Sequence, residues 1–311
     1  DEGSVTIEAK RLFDIVRSLS DDEVRLTLEE NESLKIESGN AKFSLLGLPA
    51  DDFPSLPEVD TSNAYEVDLD DLKTMIEKVI FAITHEETRF QLNGALLKLV
   101  DDRLEMVATD GHRMALVTFP QEGLEADDDN PVSMLIPRKA LQELARLDSS
   151  SDSRVRFGIS ENHLFFEAGS RRLMGRMIDV NFPNYMDVIS QDNDRNVVVD
   201  RDRLLATIRR VSLLANERTR AVRFDFEPGK LTVSSTNSEL GEARETVPID
   251  YSGESFFIGL NAGYVSDFLS AIDTESVSLD LKDEGSQCIG KPLAKDALPY
   301  EYLYVVMPMR I

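Results

Sequence analysis

The fold is decided by the stretch VDRDRLLATIRRV at residues 199–211, an extended apolar run that leads directly into an amphipathic helix. Similar stretches open near Ile7, Val67, Ile136 and Ile258, and alternating apolar and polar residues that predict strands follow each of them. A unit of roughly sixty residues therefore recurs five times along the chain. The first, third and fifth copies end in aromatic-rich stretches, which indicates a lone half unit followed by two pairs.

The helical period places the apolar residues of each predicted helix on one face. In the fourth copy this face holds Leu204, Leu205, Ile208, Val211 and Ala215. In the first copy it holds Leu12, Ile15, Val16 and Leu19. The segments between the helices predict hairpins, most clearly around Asp110-Gly111 and Pro228-Gly229. Sheets covered on one face by helices, an α+β architecture, are the expected result.

The charge pattern separates the predicted helices from the predicted strands. A net charge of −24 disfavours nucleic-acid binding, because phosphate groups attract Lys and Arg. The predicted helices are nevertheless close to neutral in total, and several of their acidic residues stand at helix starts, where they complement the helix dipole. The helix bodies therefore present cationic faces, although an ordinary solvated helix face is the plain alternative.

Two polar stretches are candidate linkers, the Pro-rich acidic segment 49–64 and the segment 190–196. They predict three domains, at residues 1–62, 63–190 and 191–311, of which the first holds one copy of the repeat and the others two. The chain starts at Asp1 without an initiator Met, which indicates a fragment.

Composition and motifs predict no active site, no metal site and no cofactor. Cys288 is the single cysteine, which fits a reducing cytoplasmic compartment, and no apolar run is long enough to span a membrane. The acidic trio Asp127, Asp128 and Asp129 lacks the spacing of a calcium loop. The sequence TDGH at residues 109–112 admits a hydrolase interpretation, with Asp110 orienting His112, but no nucleophile accompanies it and a hairpin turn is favoured.

The carboxyl-terminal stretch YVVMPMRI, residues 304–311, is apolar and rich in Met. Exposed Met side chains adapt to varied ligands, so the stretch predicts a binding surface for several partners. The alternative, a last core strand with Pro308 at a sheet edge, is equally compatible with the sequence.

Several of these motifs, in this order, resemble the bacterial DNA sliding clamp, the beta subunit of DNA polymerase III. They are RFQLNG at 89–94, TDGHRMALV at 109–117, NFPNY at 181–185, LLANE at 213–217 and the closing YVVMPMR. The resemblance covers the whole chain and implies that roughly the first sixty residues of the family's first domain are missing, in agreement with the odd number of repeats.

The resemblance implies tandem repeats of the clamp fold, with sheets on the outside and helices that line a central channel for duplex DNA. It implies a head-to-tail homodimer and sequence-independent contacts with the DNA backbone. The DNA-facing residues would be Arg17, Arg138, Lys139, Arg146 and Arg210. The subunit interface would use Phe43 and Leu45 on one side and Leu213 and Leu214 on the other.

The resemblance also implies a groove that binds short linear motifs of polymerases, the clamp loader and repair proteins. Carried over to this sequence, the groove comprises Arg89, Leu92, Thr109, Gly111, His112, Arg113, Met114, Pro183, Val188, Asn261, Tyr264, Val305, Val306, Met307, Pro308, Met309 and Arg310. The sequence departs from the family at Asp187, where some members have Arg, at Gln91, at Ile311 and in a longer loop at 283–300.

We therefore expect a non-enzymatic processivity factor that encircles DNA, acts in the cytoplasm and docks its partners in one groove. One alternative is a truncated clamp that binds peptides but cannot close the ring. A second alternative, from another class, is a nucleic-acid-processing enzyme with TDGH in its site.

Overall fold

The computed structural model of the protein describes residues 3–20, 23–54, 60–61, 64–86, 88–100, 102–121, 132–148, 154–160, 162–189 and 192–311. The chain divides into two compact units, Asp1–Val59 and Asp60–Ile311. The acidic trio Asp127, Asp128 and Asp129 lies outside the described residues. The three predicted domain ranges stay a prediction.

The smaller unit consists of one helix and a three-stranded antiparallel sheet in its described part. Its elements are α1 (Ala9–Ser18), β1 (Arg25–Leu28), β2 (Ser33–Ser38) and β3 (Ala41–Leu46), with the strands in the order β1-β2-β3. Leu12, Ile15 and Leu19 are half-buried, as predicted, but Val16 is 43% exposed. The prediction that Val16 faces inward is wrong, because the half-buried stripe is narrow and Val16 falls at its edge.

The larger unit continues the strand and helix order that the repeats predict. Its helices are α2 (Leu69–Val79), α3 (Arg138–Ala145), α4 (Arg201–Val211) and α5 (Ala262–Ala271). Its strands are β4 (Tyr65–Asp68), β5 (Gly94–Val100), β6 (Arg103–Thr109), β7 (Arg113–Pro120), β8 (Ser133–Pro137), β9 (Arg154–Ser160), β10 (His163–Ala168), β11 (Arg171–Arg176), β12 (Arg195–Asp200), β13 (Ala221–Glu227), β14 (Lys230–Asn237), β15 (Gly241–Asp250), β16 (Phe256–Asn261), β17 (Ser276–Leu281), β18 (Cys288–Leu293) and β19 (Glu301–Val306).

The strand that runs directly into a helix, the feature that opens each repeat, is confirmed four times. β4, β8, β12 and β16 each end at the residue before a helix begins. Three of these junctions are capped by a side chain: Asp68 and Asp200 accept hydrogen bonds from amides in the first turn, and so does Asn261. A cap residue in extended conformation both ends the strand and satisfies free N–H groups of the helix.

The strands of the larger unit form two sheets, of four and of twelve strands. The order of the larger sheet is β16-β13-β14-β15-β12-β17-β18-β19-β7-β6-β5-β8. The antiparallel pair β19–β7, which runs from Glu301 opposite Thr118 to Val306 opposite Arg113, joins strands of the second and fifth repeats. The last strand of the chain is therefore hydrogen-bonded to the hairpin that contains TDGH.

Both faces of the twelve-stranded sheet are apolar around this junction. Met106 and Ala108 belong to the large core under the helices, whereas Val107 belongs to a smaller cluster on the opposite face. This follows from the alternation of side chains along a strand. The smaller cluster contains Leu96, Val107, Met114, Leu135, Tyr185, Ile289 and Val305. It places an apolar surface on the sheet face that the helices do not cover.

The stretch 283–300 is not a continuous loop, contrary to expectation, because Cys288–Leu293 forms β18 between β17 and β19. Gly290 lets this strand approach the core, since a Cβ there would lie 2.6 Å from the ring of Phe268. The predicted hairpins β6–β7 and β13–β14 are confirmed.

In the described part of the chain, no helix combines the length and the apolar character needed to cross a membrane. The same residues contain no group of three or more His, Cys, Asp or Glu side chains arranged to hold a metal ion.

Candidate functional site

A small apolar cavity of about 140 Å³ lies on the uncovered face of the twelve-stranded sheet, over the smaller cluster. The predicted groove residues that line it are Leu92, Thr109, Gly111, Arg113, Met114, Pro183, Val188, Val305 and Met307. Asn184 and Tyr185 line it as well and are missing from the predicted set. Both residues belong to the motif NFPNY, which could have indicated them. Tyr185 also lies one turn before the predicted groove residue Val188 in the 3₁₀ helix Tyr185–Val188.

The remaining predicted groove residues do not line this cavity. They are Arg89, His112, Asn261, Tyr264, Val306, Pro308, Met309 and Arg310. Val306 belongs to the core under the helices, because it alternates with Val305 along β19. Asn261 caps α5 by accepting hydrogen bonds from the amides of Gly263 and Tyr264 at 2.8 and 3.2 Å.

The TDGH turn is held by hydrogen bonds to its own backbone. The Asp110 carboxylate accepts from the amides of His112 and Arg113 at 2.9 and 3.0 Å, and Gly111 adopts φ +88°, which favours glycine. The Thr109 hydroxyl donates to the Arg113 carbonyl at 2.6 Å. Asp110 therefore caps the turn and does not orient the His112 ring, so the hydrolase interpretation lacks its acid–histidine pair.

Arg113 is the most constrained charged group at the cavity, with a side chain only 10% exposed. Its Nε lies 3.0 Å from an oxygen of Asp110, and its other guanidinium nitrogens donate to Asp267 at 2.6 Å and to the carbonyl of Phe81 at 2.7 Å. The guanidinium also lies over the rings of Tyr264 and Phe81, 4.3 and 5.4 Å from their centroids.

Burial by itself would lower the pKa of Arg113, but Tyr304 and the carboxylates of Asp267 and Asp110 raise it above its usual value. The side chain thus remains charged and joins the TDGH hairpin to α5. It forms one wall of the cavity with its hydrogen-bonding groups already occupied by the protein.

The carboxyl-terminal tail runs past the hairpin toward β16. The Met307 amide donates to the carbonyl of His112 at 2.9 Å, and the Met309 amide donates to the carbonyl of Gly259 at 2.8 Å. A Cβ at residue 259 would lie 2.5 Å from the Met309 carbonyl oxygen, so glycine is required for this approach. Met307 is 40% exposed and contributes the outermost part of the cavity wall.

The cavity rim is polar. Arg89 lies 2.9 Å from the Glu86 carboxylate and donates to the Asp110 carbonyl at 3.1 Å. On the opposite side, Gln287 donates to the carbonyl of Val188 at 3.2 Å, and the Tyr185 hydroxyl donates to Glu105 at 2.7 Å. Apart from the Arg89–Glu86 pair, these rim contacts join residues that are distant in sequence.

The predicted DNA-facing residues differ in whether their charged groups already form ion pairs or hydrogen bonds within the protein. Arg210 forms two hydrogen bonds with Glu245, at 2.5 and 2.8 Å, and Arg146 pairs with Glu143 at 2.8 Å. Arg138 donates to the Ile83 carbonyl at 3.1 Å, and its pKa is lowered by burial and by Arg113. Lys139 and Arg17 are exposed and have no salt bridge within the described residues.

The exposed cations Arg203 and Arg209 on α4 were not predicted as DNA-facing residues. Arg209 donates to the Ser270 hydroxyl at 3.4 Å, and neither side chain has a salt bridge among the described residues. The predicted interface residues are apolar and accessible: Leu213 is 77% exposed, Leu214 is half-buried, and Phe43 and Leu45 alternate with exposed residues along β3.

The repeated strand–helix units and the apolar cavity on the uncovered sheet face are the features expected of a binding protein of the clamp type. Three family models match consecutive parts of the chain. They describe the N-terminal domain of the DNA polymerase III beta subunit at residues 1–57, its central domain at 66–184 and its C-terminal domain at 186–310.

The chain is similar to curated proteins named beta sliding clamp. The one from Pseudomonas putida is 33% identical over 311 residues, which cover 100% of this chain and 83% of the relative. The one from Caulobacter vibrioides is 36% identical over 315 residues, which cover 99% and 83%.

Among solved structures, a DNA polymerase sliding clamp from Pseudomonas aeruginosa with ligand matches with a TM-score of 0.90 at 33% identity, covering 100% of this chain and 83% of that one. A sliding clamp from Bartonella birtlesii bound to griselimycin matches with the same TM-score, identity and coverage.

The chain belongs to the DNA polymerase III beta subunit family, the bacterial sliding clamps. It has the α+β clamp fold and is a processivity factor of DNA replication, not an enzyme. The expectation that half of the first domain is missing gains no support, since the N-terminal model matches residues 1–57. Nor do the comparisons favour a clamp reduced to a peptide-binding module.

Proposed function

We propose that this clamp docks its partners by binding short linear motifs in the cavity between Met114, Val188 and Met307. The observation that carries the proposal is the cavity itself, an apolar pocket already formed on the sheet face that the helices leave uncovered. A ligand pocket is typically apolar with a few fixed polar groups. Here Thr109 and Asn184 supply polar atoms, and the tail supplies an adaptable Met wall.

The partners would be the replicative polymerase, the clamp loader and repair proteins, each through an apolar motif of the Gln-Leu-x-Leu-Phe type. Exchange among several partners on one site requires moderate affinity, so we expect a micromolar dissociation constant, about −8 kcal/mol. The Pseudomonas aeruginosa and Bartonella birtlesii clamps bound to griselimycin support the proposal that this chain also accepts that compound.

We propose further that the clamp encircles duplex DNA as a head-to-tail homodimer in the cytoplasm, with domains at residues 1–62, 63–190 and 191–311. Leu213 and Leu214 would pack against Phe43 and Leu45 of a second copy. The cationic helix faces would contact phosphates without reading sequence, as sliding requires. Lys139 and Arg17 are the predicted DNA-facing residues best supported, since their charges are exposed.

Titration of a labelled Gln-Leu-Ser-Leu-Phe peptide tests the groove. We expect micromolar binding by the intact chain and an affinity at least about ten-fold lower after deletion of residues 307–311, since ten-fold corresponds to about 1.4 kcal/mol and anchor contacts contribute more than about 1 kcal/mol each. Met307→Ala, which leaves the backbone bonds of the tail in place, should weaken binding by about five-fold.

Leu293→Ala is the matched control, because Leu293 is 44% exposed, similar to Met307, and lines another cavity. Its affinity for the peptide should equal that of the unchanged protein. Full binding after both Met307→Ala and the deletion would show that the peptide docks elsewhere.

A further inference from the structure

The charges around the cavity are unbalanced. Arg89 and Arg113, two cations near it, are already engaged by the protein's own carboxylates: Arg89 by Glu86, and Arg113 by Asp110 and Asp267. Arg113 is buried and paired, and Arg89, which is 41% exposed, is paired with an exposed carboxylate. With Arg113 only 10% exposed, a peptide in the cavity meets these ion pairs as nearly neutral walls.

Asp187 lies on the same rim and is not engaged in this way. Asn184 and Asp187 are three residues apart at the 3₁₀ helix Tyr185–Val188, and residues at this spacing eclipse each other. Asp187 directly precedes Val188, which lines the cavity, and it follows Asn184, which lines it as well, by one 3₁₀ turn. Its side chain is exposed and has no salt bridge within the described residues.

Two more carboxylates belong to a segment of the fifth repeat that contacts this rim. The Gln287 amide donates to the carbonyl of Val188, the residue after Asp187, which brings the end of the segment 283–287 to the rim. Asp283 and Glu284 on that segment are exposed. Hydrogen bonds from Ser286 and from the Gly285 amide lower the pKa of Asp283, so it remains ionised at neutral pH.

We propose that this groove selects peptides in which a Lys or Arg flanks the apolar anchor residues, and that Asp187 accepts the ion pair from that cation. The proposal rests on the groove's proposed function and names the chemistry of the partner. An apolar cavity binds any suitable anchor, whereas an uncompensated carboxylate at its mouth favours a cationic flank and disfavours an acidic one. Specificity then comes from the rim and affinity from the cavity.

The test uses Gln-Leu-Ser-Leu-Phe with one added residue, Lys, Ala or Glu, at either end. At the peptide end where the added Lys strengthens binding more, we expect the Lys peptide to bind the intact clamp about two- to five-fold more tightly than the Ala peptide at ~50 mM salt. This is the size of effect that an exposed ion pair gives. The Glu peptide should bind more weakly than the Ala peptide. In about 0.5 M salt the preference should vanish, since screening then acts over a few ångströms.

Asp187→Asn should bring the ratio between the Lys and Ala peptides close to one, and Asp187→Lys should reverse the order of the Lys and Glu peptides. Asp250→Asn is the matched control: it removes one exposed carboxylate from β15, four strands away from β19 in the sheet order. Its peptide ratios should equal those of the intact clamp.

Two failures are distinguishable. A Lys preference that survives Asp187→Asn, or that is absent from the intact clamp while the Ala peptide still binds, overturns the charge selection alone. If none of the peptides binds the intact clamp, the groove's proposed function fails first, and the charge selection falls with it.

Discussion

Replacement of Arg113 by Met should cost the clamp about 3 kcal/mol of its free energy of unfolding. The side chain makes three hydrogen bonds, to Asp110, Asp267 and the Phe81 carbonyl. A hydrogen bond that involves a charged group contributes about 1.5–3 kcal/mol when buried. Met preserves much of the side-chain volume, so the loss would come from polar contacts rather than from a cavity.

The three bonds do not contribute equally. Asp267 is 47% exposed, so solvent screening limits its share to about 0.5 kcal/mol. Asp110 is 14% exposed and keeps two backbone donors after the replacement, which limits its share to about 1.5 kcal/mol. The Phe81 carbonyl loses its Arg donor, and the two ring contacts are lost as well, which together add about 1 kcal/mol.

Urea unfolding, monitored by circular dichroism, measures this loss of stability. Arg113→Lys separates the contribution of the charge from that of the guanidinium geometry. Lys keeps the charge but lacks the planar fork, so it should recover only about half of the stability. Arg203→Met is the control, since Arg203 is exposed on α4 and surface changes usually stay within about 0.5 kcal/mol. If Arg113→Met costs no more than this control, the Arg113 contacts do not stabilise the fold and the reasoning is wrong.

Two further predictions concern DNA and assembly. Glu245→Gln should release Arg210 while keeping an acceptor for the Thr207 hydroxyl. DNA binding should then tighten at low salt, and the slope of the logarithm of affinity against the logarithm of salt concentration should steepen by about one per subunit. Glu227→Gln, which frees Lys230 at a turn, is the control, and an unchanged slope after Glu245→Gln would exclude a phosphate contact by Arg210. Leu213→Asp should reduce the mass measured by light scattering from that of a dimer to 34.9 kDa, whereas a mass of 34.9 kDa before the change would favour the alternative that cannot close the ring.

The sequence predicts local features of this clamp well because their causes are local. The apolar residues predicted for the helix of the fourth copy, Leu204, Leu205, Ile208, Val211 and Ala215, are all buried, although α4 itself ends at Val211. The turn at Gly111 and the strand-to-helix junctions depend on residues within three positions of one another, so pattern and turn chemistry predict them.

Contacts between residues that are distant in sequence cannot be predicted from such local patterns. Glu245 neutralises Arg210 from another element, and Arg113 finds Asp267 on α5, which no spacing in the sequence indicates. The expectation of a loop at 283–300 missed β18, in which Gly290 allows close packing on Phe268. Cys288 at the start of this strand is buried, and burial raises the pKa of its thiol to about 12, so it is an inert core residue.

The carboxyl-terminal stretch was given two interpretations from its sequence, and the structure confirms the core strand while the binding surface stays a prediction. Residues 301–306 are a core strand, since β19 pairs with β7 and buries Tyr302, Tyr304 and Val306 under the helices. Alternation sends Val305 to the other face, where it lines the cavity, and the chain then leaves the sheet at Met307. The strand that joins the fifth repeat to the second therefore also positions Met307 at the wall of the cavity. A partner peptide bound there rests on the junction between repeats, so groove affinity and the stability of this junction should change together when β19 or Arg113 is altered.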